Sequence, residues 1–155
     1  MTTERRSALK KLSLSVLSLI GIRSIAGATT ASAVSEEKEV SGIVYDQETP
    51  MYSSVTKLGN MIFLSGKGAH YKDDIKAHTE TVLKDMEEEL KKAGSSMEKV
   101  LKVSVFLNDL ADFEGMNSVY KGRFGKKPPV RTTVAVARGG VPGDSLVDMD
   151  CIAYI

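Results

Sequence analysis

A single cysteine, Cys151, stands in a chain of 155 residues that has no tryptophan, only 6% aromatic residues and two histidines. One thiol excludes an intramolecular disulfide and any cysteine-rich zinc site. His70 and His78 lie eight residues apart, which is not the i, i+4 spacing of a helical metal pair. They read as solvent-facing residues flanking a helix start, and no metal is expected. Long hydrophobic runs are missing too: the apolar stretch Leu12–Ile22 has 11 residues, well short of the ~20 that a spanning helix needs. Nor is there an excess of either charge, with 21 Lys+Arg against 20 Asp+Glu.

The charges that are present are unevenly spread. Residues 1–33 hold five basic residues and one acid, leaving 16 basic and 19 acidic residues, a formal charge of −3, on the other 122. A domain that binds nucleic acid through its charge is expected to be basic, so no nucleic-acid partner is expected.

Residues 1–33 read as an export signal. The basic stretch Glu4–Lys11 precedes the apolar run, and Ala31-Ser32-Ala33 has the small-x-small pattern of a cleavage site. Arg5-Arg6-Ser7-Ala8-Leu9-Lys10 resembles the twin-arginine signal, with Ala8 where a larger apolar residue is usual. No cysteine follows the cleavage site, so neither a lipoprotein anchor nor another stable membrane anchor is expected. The processed protein is expected to be periplasmic or extracellular. Residues 34–44 are read as a flexible lead-in and 45–155 as one domain.

Within that domain, Tyr52–Leu58 and Met61–Ser65 read as a hairpin turning at Gly59-Asn60, with Ser65-Gly66-Lys67-Gly68 breaking the second strand. A helix is expected over Asp74–Ala93, because Ile75, Thr79, Val82, Leu83, Met86, Leu90 and Ala93 recur at spacings of three and four. Gly94 stops it, and its Glu and Lys runs are a solvated face. Val100–Asn108 reads as a strand and Asp112 as the start of a shorter helix carrying Phe113, Met116, Tyr120 and Phe124. Val130–Ala137 and Leu146–Ile155 read as two more strands. The order is ββαβαββ, with a further short strand allowed near Ile43–Tyr45. This predicts an α+β domain with two helices on one face of a mixed sheet.

Strand parity then suggests where chemistry sits. In the last strand Val147, Met149, Cys151, Ala153 and Ile155 share the apolar face, and Asp148, Asp150, Ile152 and Tyr154 point away from it. Cys151 reads as a buried small hydrophobe. In Val130–Ala137 the β-branched Val130, Thr132, Val134 and Val136 are expected to meet the helices, leaving Arg131 and Thr133 on the helix-free face with Asp148 and Asp150. That face is apolar enough to argue for self-association. Two roles stay open for Arg131: a bidentate clamp on a ligand carboxylate, or a structural pair with an aspartate.

Several strings together resemble the RidA/YjgF family, also labelled endoribonuclease L-PSP-like. They are Pro50–Ser54, Leu58–Gly66, Lys102–Leu107 with Phe113, Asn117–Tyr120, Pro129–Ala137 and Asp148–Ala153. The resemblance implies a chorismate-mutase-like α+β fold. It also implies a homotrimer formed through the helix-free face, with sites in the subunit clefts and no cofactor or metal. The archetypal activity is hydrolysis of reactive 2-enamino and 2-imino acids to 2-oxo acids and ammonia. By resemblance Arg131 clamps the substrate carboxylate, Asp150 stands where a glutamate positions water, and Tyr52 lines the pocket. Ser65 and Gly66 form the strand end beside it, and Asn117 lies near the cleft. The sequence departs from the family pattern in four ways. Asp150 is one methylene shorter than glutamate, Thr133 replaces a common cysteine and Lys67 a common glutamine, and the Gly66-to-helix connection is short.

The expected function is cofactor-independent deamination of such imines, a 2-iminobutanoate/2-iminopropanoate deaminase-type hydrolysis. A non-catalytic trimer that binds a small carboxylate is the alternative. The ribonuclease activity of the older label is disfavoured by charge and by the scarcity of stacking aromatics.

Overall fold

The computed structural model describes residues 37–155; the export signal read from residues 1–33 lies outside the described residues. The elements are β1 (Glu39–Asp46), β2 (Thr49–Leu58), β3 (Met61–Gly68), α1 (Ile75–Lys92), β4 (Val100–Leu107), α2 (Phe113–Tyr120), β5 (Val130–Ala135) and β6 (Val147–Tyr154). The strands form one mixed sheet in the order β1-β2-β3-β6-β4-β5. β6 runs antiparallel to both β3 and β4, and β5 runs parallel to β4. Strands that run parallel in one sheet need a crossover: α1 carries the chain from β3 past the position of β6 to β4, and α2 carries it from β4 to its parallel neighbour β5. Both helices cover one face, where Ile62, Leu64, Val103, Val105, Leu107, Met149 and Cys151 meet Val82, Leu83, Met86, Leu90 and Met116. No helix among the described residues is long and apolar enough to cross a membrane.

The long helix forms as its spacing predicts. The Asp74 side chain accepts from the Ala77 N–H at 2.9 Å, capping the first turn. At the other end Gly94 takes φ +87°, and Ser95 N–H donates to Leu90 C=O while Gly94 N–H donates to Lys91 C=O. This paired closure needs a left-handed residue where glycine stands. Its exposed face carries the ion pairs Lys91–Glu87 and Lys92–Glu89, which at the surface stabilise little.

His78 corrects the expectation of a solvent-facing residue: it is 1% exposed. One turn before Val82, it falls on the buried stripe, and both ring nitrogens are used. Nδ1 accepts from the Leu146 N–H at 3.0 Å, so Nε2 carries the proton and donates to Tyr71 C=O at 2.9 Å. The ring thereby ties the loops before α1 and β6 to the helix. His70 is exposed, as expected.

Two strands are longer than the sequence indicated. The strand allowed near Ile43–Tyr45 spans Glu39–Asp46 and pairs antiparallel with β2, so residues 39–44 of the stretch read as a flexible lead-in are strand. Gly42 and the consecutive Ile43-Val44-Tyr45 break the alternation, and pairing with β2 defines the strand instead. β3 also continues through Ser65-Gly66 to Gly68. Leu64 opposes Cys151 and Lys67 opposes Met149, so Ser65 and Gly66 together face Asp150 across a bulge. In α2, Gly115 has a packing role: a Cβ there would meet Ile75 Cγ2 of α1 at 2.5 Å.

Replacing His78 with phenylalanine keeps a ring in the core but strands the Leu146 N–H and the Tyr71 carbonyl. A loss of about 2–4 kcal/mol is expected, read in urea unfolding as a lower midpoint at unchanged slope.

Candidate functional site

The register of β5 decides which way its side chains point. β5 pairs with β4 so that Arg131 sits beside Val103, Thr133 beside Val105 and Ala135 beside Leu107. Val103, Val105 and Leu107 are fully buried under the helices, so Arg131 and Thr133 also face the helices. The expectation that they lie on the helix-free face is therefore corrected. The β-branched set takes that face instead, with Val130 70% and Val134 44% exposed. Parity misled because the apolar side of this edge strand is its open side, whereas its helix side meets a helix built to receive a guanidinium.

That helix is α2. Phe113, Asn117 and Tyr120 recur at i, i+4 and i+7 and so share one face. Arg131 Nη1 donates to Asn117 Oδ1 at 2.8 Å. Its guanidinium carbon lies 4.7 Å from the Tyr120 ring centroid and 5.8 Å from that of Phe113, within cation–π range. Arg131 forms no ion pair with any carboxylate among the described residues, where the one arginine ion pair is that of Arg123 with Glu80. The structural-pair reading with an aspartate is thus not what the fold adopts. A guanidinium with an amide and two rings as neighbours keeps its net charge for a ligand.

Beside it, Thr133 Oγ1 and Tyr120 Oη are both buried without a hydrogen-bond partner among the described residues. Burial pushes the Tyr120 phenol up to about 12, against the opposing pull of Arg131, so it stays a neutral ring. Cys151 is buried, and burial followed by the Asp150 charge pushes its thiol up to about 12. This fits a small core residue and leaves no nucleophilic thiolate at neutral pH.

The other expected site residues gather on the opposite, helix-free face. Asp150 lies beside Ser104 of β4 and across from the Ser65-Gly66 bulge of β3. Asp148 packs over Gly66, where any Cβ would collide with its carboxylate. Glycine at 66 is needed for that close approach rather than for backbone freedom. Strand parity places Asp148 on this face beside Asp150, as the structure has it, but the sequence assigns it no role in the site. Tyr52 is 53% exposed on β2, and it shares the open face because it opposes Val44 and lies three positions from inward-facing Val55.

Arg131, Asn117 and Thr133 therefore form one group, and Ser65, Gly66, Asp150 and Tyr52 form another across the sheet. β2 and β5 are four strand spacings apart, about 19 Å. A cavity of about 450 Å³ opens elsewhere, between β1, β2 and the end of α1, lined by Val40, Lys57 and Glu89 among others; it shares no residue with either group. Among the described residues no group of three or more His, Cys, Asp or Glu is placed to hold a metal.

Burial, and then the neighbouring Asp150 charge, hold the Asp148 carboxyl above its ordinary range, against the opposing effects of His70 and Lys67. The folded state thus holds this proton more tightly than the unfolded chain. The contribution of Asp148 to stability falls as pH rises through the carboxylate range and stays unfavourable above it. Asp148→Asn is expected to raise stability at neutral pH, with the gain shrinking as acid protonates Asp148. Urea unfolding of both proteins across pH 4–8 reads this out, and a gain independent of pH would contradict it.

Comparison with known proteins gives a consistent family. A family model described as endoribonuclease L-PSP matches residues 47–155. A RutC family protein of Pyrococcus abyssi is 38% identical over 123 residues, 72% of this chain and 95% of that protein. Reactive Intermediate Deaminase A, chloroplastic, of Arabidopsis thaliana is 35% identical over 137 residues, 81% of this chain and 71% of that protein. Among solved structures, a YjgF family member from Neisseria meningitidis superposes with a TM-score of 0.67 at 27% identity, over 77% of this chain and 95% of that one. RidA from an Antarctic Psychrobacter gives 0.65 at 29% identity, over 74% and 98%. The mixed sheet, its two covering helices and these matches together make this chain a member of the endoribonuclease L-PSP family, the RidA/YjgF proteins.

Proposed function

We propose that this protein hydrolyses 2-imino and 2-enamino acids to 2-oxo acids and ammonium, without a cofactor, at sites assembled between copies of the chain in a homotrimer. The observation that carries this reading is the Arg131 guanidinium, fixed through one N–H to Asn117 and laid over Tyr120, with no carboxylate of its own. Its remaining donors suit the two oxygens of a substrate carboxylate. The similarity to a plant protein named as a reactive intermediate deaminase supports the same chemistry.

The reaction asks little beyond placement. The carboxylate binds Arg131, which sets the adjacent C2 of the iminium. A water oxygen bonds to C2 and passes one proton to nitrogen; the C2–N bond then breaks as the remaining hydroxyl proton is relayed to the departing ammonia, which leaves ammonium and the 2-oxo acid. A carboxylate that orients the water and relays the proton speeds such a step, and Asp150 is the residue assigned to it. One chain presents Arg131 on the helix side and Asp150 on the open side, so a second copy supplies the Asp150 group. The open face favours that association: Phe63, Val130, Val134 and Tyr154 are exposed on it, a larger apolar set than a monomer commonly leaves in water.

The export signal read from residues 1–33 supports an activity outside the cytoplasm, with imines supplied there by oxidation of amino acids. Binding of a small carboxylate without turnover is the second reading, favoured by the shorter reach of Asp150. A ribonuclease would need a basic groove beside its stacking rings, whereas Tyr52, Phe63 and Tyr154 share their face with Asp148 and Asp150.

The test uses residues 34–155 with imino acids generated by an amino-acid oxidase and trapped with semicarbazide. Faster loss of imine is expected. Arg131→Ala should lower kcat/KM by about a hundredfold or more, and Asp150→Asn should lower kcat by about a hundredfold. Binding of 2-oxobutanoate with no acceleration would move the assignment to the carboxylate-binding reading.

A further inference from the structure

The carboxylate clamp has a feature that the family resemblance did not bring forward. Arg131 reaches its position from an edge strand, and an unsupported arginine there would sample many rotamers at a cost to any ligand that must fix it. Among the described residues only one of its five N–H donors is held, by Asn117. A single hydrogen bond fixes a point and leaves the plane of the guanidinium free to turn. The plane is set by what lies against it, and the nearer ring is Tyr120 at 4.7 Å.

We propose that Tyr120 is the positioning residue for the substrate carboxylate: its ring is the platform that orients the Arg131 guanidinium for two-point capture. This rests on the deaminase reading of the same site.

Three further observations fit. Tyr120 is itself fixed from behind, its ring 4.9 Å from that of buried Phe124 and packed against the hydrophobic core. It lies one helical turn beyond Asn117 on the same face of α2, so ring and amide move as one rigid support. Its hydroxyl makes no hydrogen bond among the described residues, so the orientation of the ring is set by packing, and the support comes from the π face. Phe113 completes the cradle at 5.8 Å, at the outer limit of useful attraction. Tyr120 touches no reacting atom and acts through Arg131 alone.

Tyr120→Phe preserves the platform and removes the hydroxyl; Tyr120→Leu keeps apolar bulk and removes the platform. With carboxylate-bearing imines, Tyr120→Leu is expected to raise KM about five- to thirtyfold with kcat changed less than threefold, and Tyr120→Phe to restore KM to within about twofold of the parent. A second readout needs no substrate. The Arg131 side-chain N–H resonances, assigned by their absence in Arg131→Lys, should carry an upfield ring-current shift in the parent and in Tyr120→Phe, and lose it in Tyr120→Leu. Thermal unfolding confirms that each variant is folded. A parent that turns over with KM unchanged in folded Tyr120→Leu overturns this role and leaves the deaminase reading standing. Equal KM losses in Phe and Leu variants overturn it too, since the hydroxyl would then be the operative group. A parent with neither turnover nor carboxylate binding overturns both.

Discussion

The parallel pairing of β5 with β4 is the constraint from which the candidate site follows. A parallel neighbour cannot be reached by a hairpin, so residues 108–129 must cross over one face of the sheet, and the helix they contain lands there. The register that places Arg131 beside Val103 turns its side chain to that same face. Clamp and support are thereby brought together by topology: Asn117 and Tyr120 meet Arg131 because the crossover that makes the strand possible also carries the residues that hold its arginine. A one-residue slip of β5 would send Arg131 to the open face and Val130 beneath α2.

The same register explains why one chain holds two partial sites. Arg131 lies on the helix side at one edge, and Ser65, Gly66, Asp150 and Tyr52 lie on the other face of the same sheet. The bulge at Ser65-Gly66 sharpens the second group by placing two residues against Asp150, and glycine at 66 leaves room for Asp148 alongside. Two acids on one face, one of them raised in pKa by burial and by its neighbour, are unfavourable to stability in isolation.

Much of this was legible in the sequence, and the failures have physical causes. The spacing of α1, its Asp74 cap and its Gly94 stop were readable because helix chemistry is local. The inward face of β6 was readable because Val147, Met149 and Cys151 alternate with the acids Asp148 and Asp150. β5 misled because periodicity reports which face is apolar, not which face meets the helices of the same chain. An edge strand whose open side carries Val130 and Val134 reverses that inference. His78 was misplaced because a polar residue on an apolar stripe reads as surface until its two partners, which are backbone groups at Tyr71 and Leu146, are brought in by tertiary structure. The association of Tyr120 with Arg131 spans a loop, and no local pattern announces it, although the i, i+4, i+7 recurrence of Phe113, Asn117 and Tyr120 was visible.

The central claim is that Arg131 of one copy and Asp150 of another make a single site. Subunit mixing tests it most directly: Arg131→Ala and Asp150→Asn proteins, each nearly inactive, are unfolded together in equal amounts and refolded. If the two residues come from different copies, random trimers rebuild about a quarter of the sites with both native groups, and imine hydrolysis returns to about a quarter of the parent rate. If both residues serve the same site from one chain, every site in the mixture lacks one of them, and the mixture stays as inactive as its components.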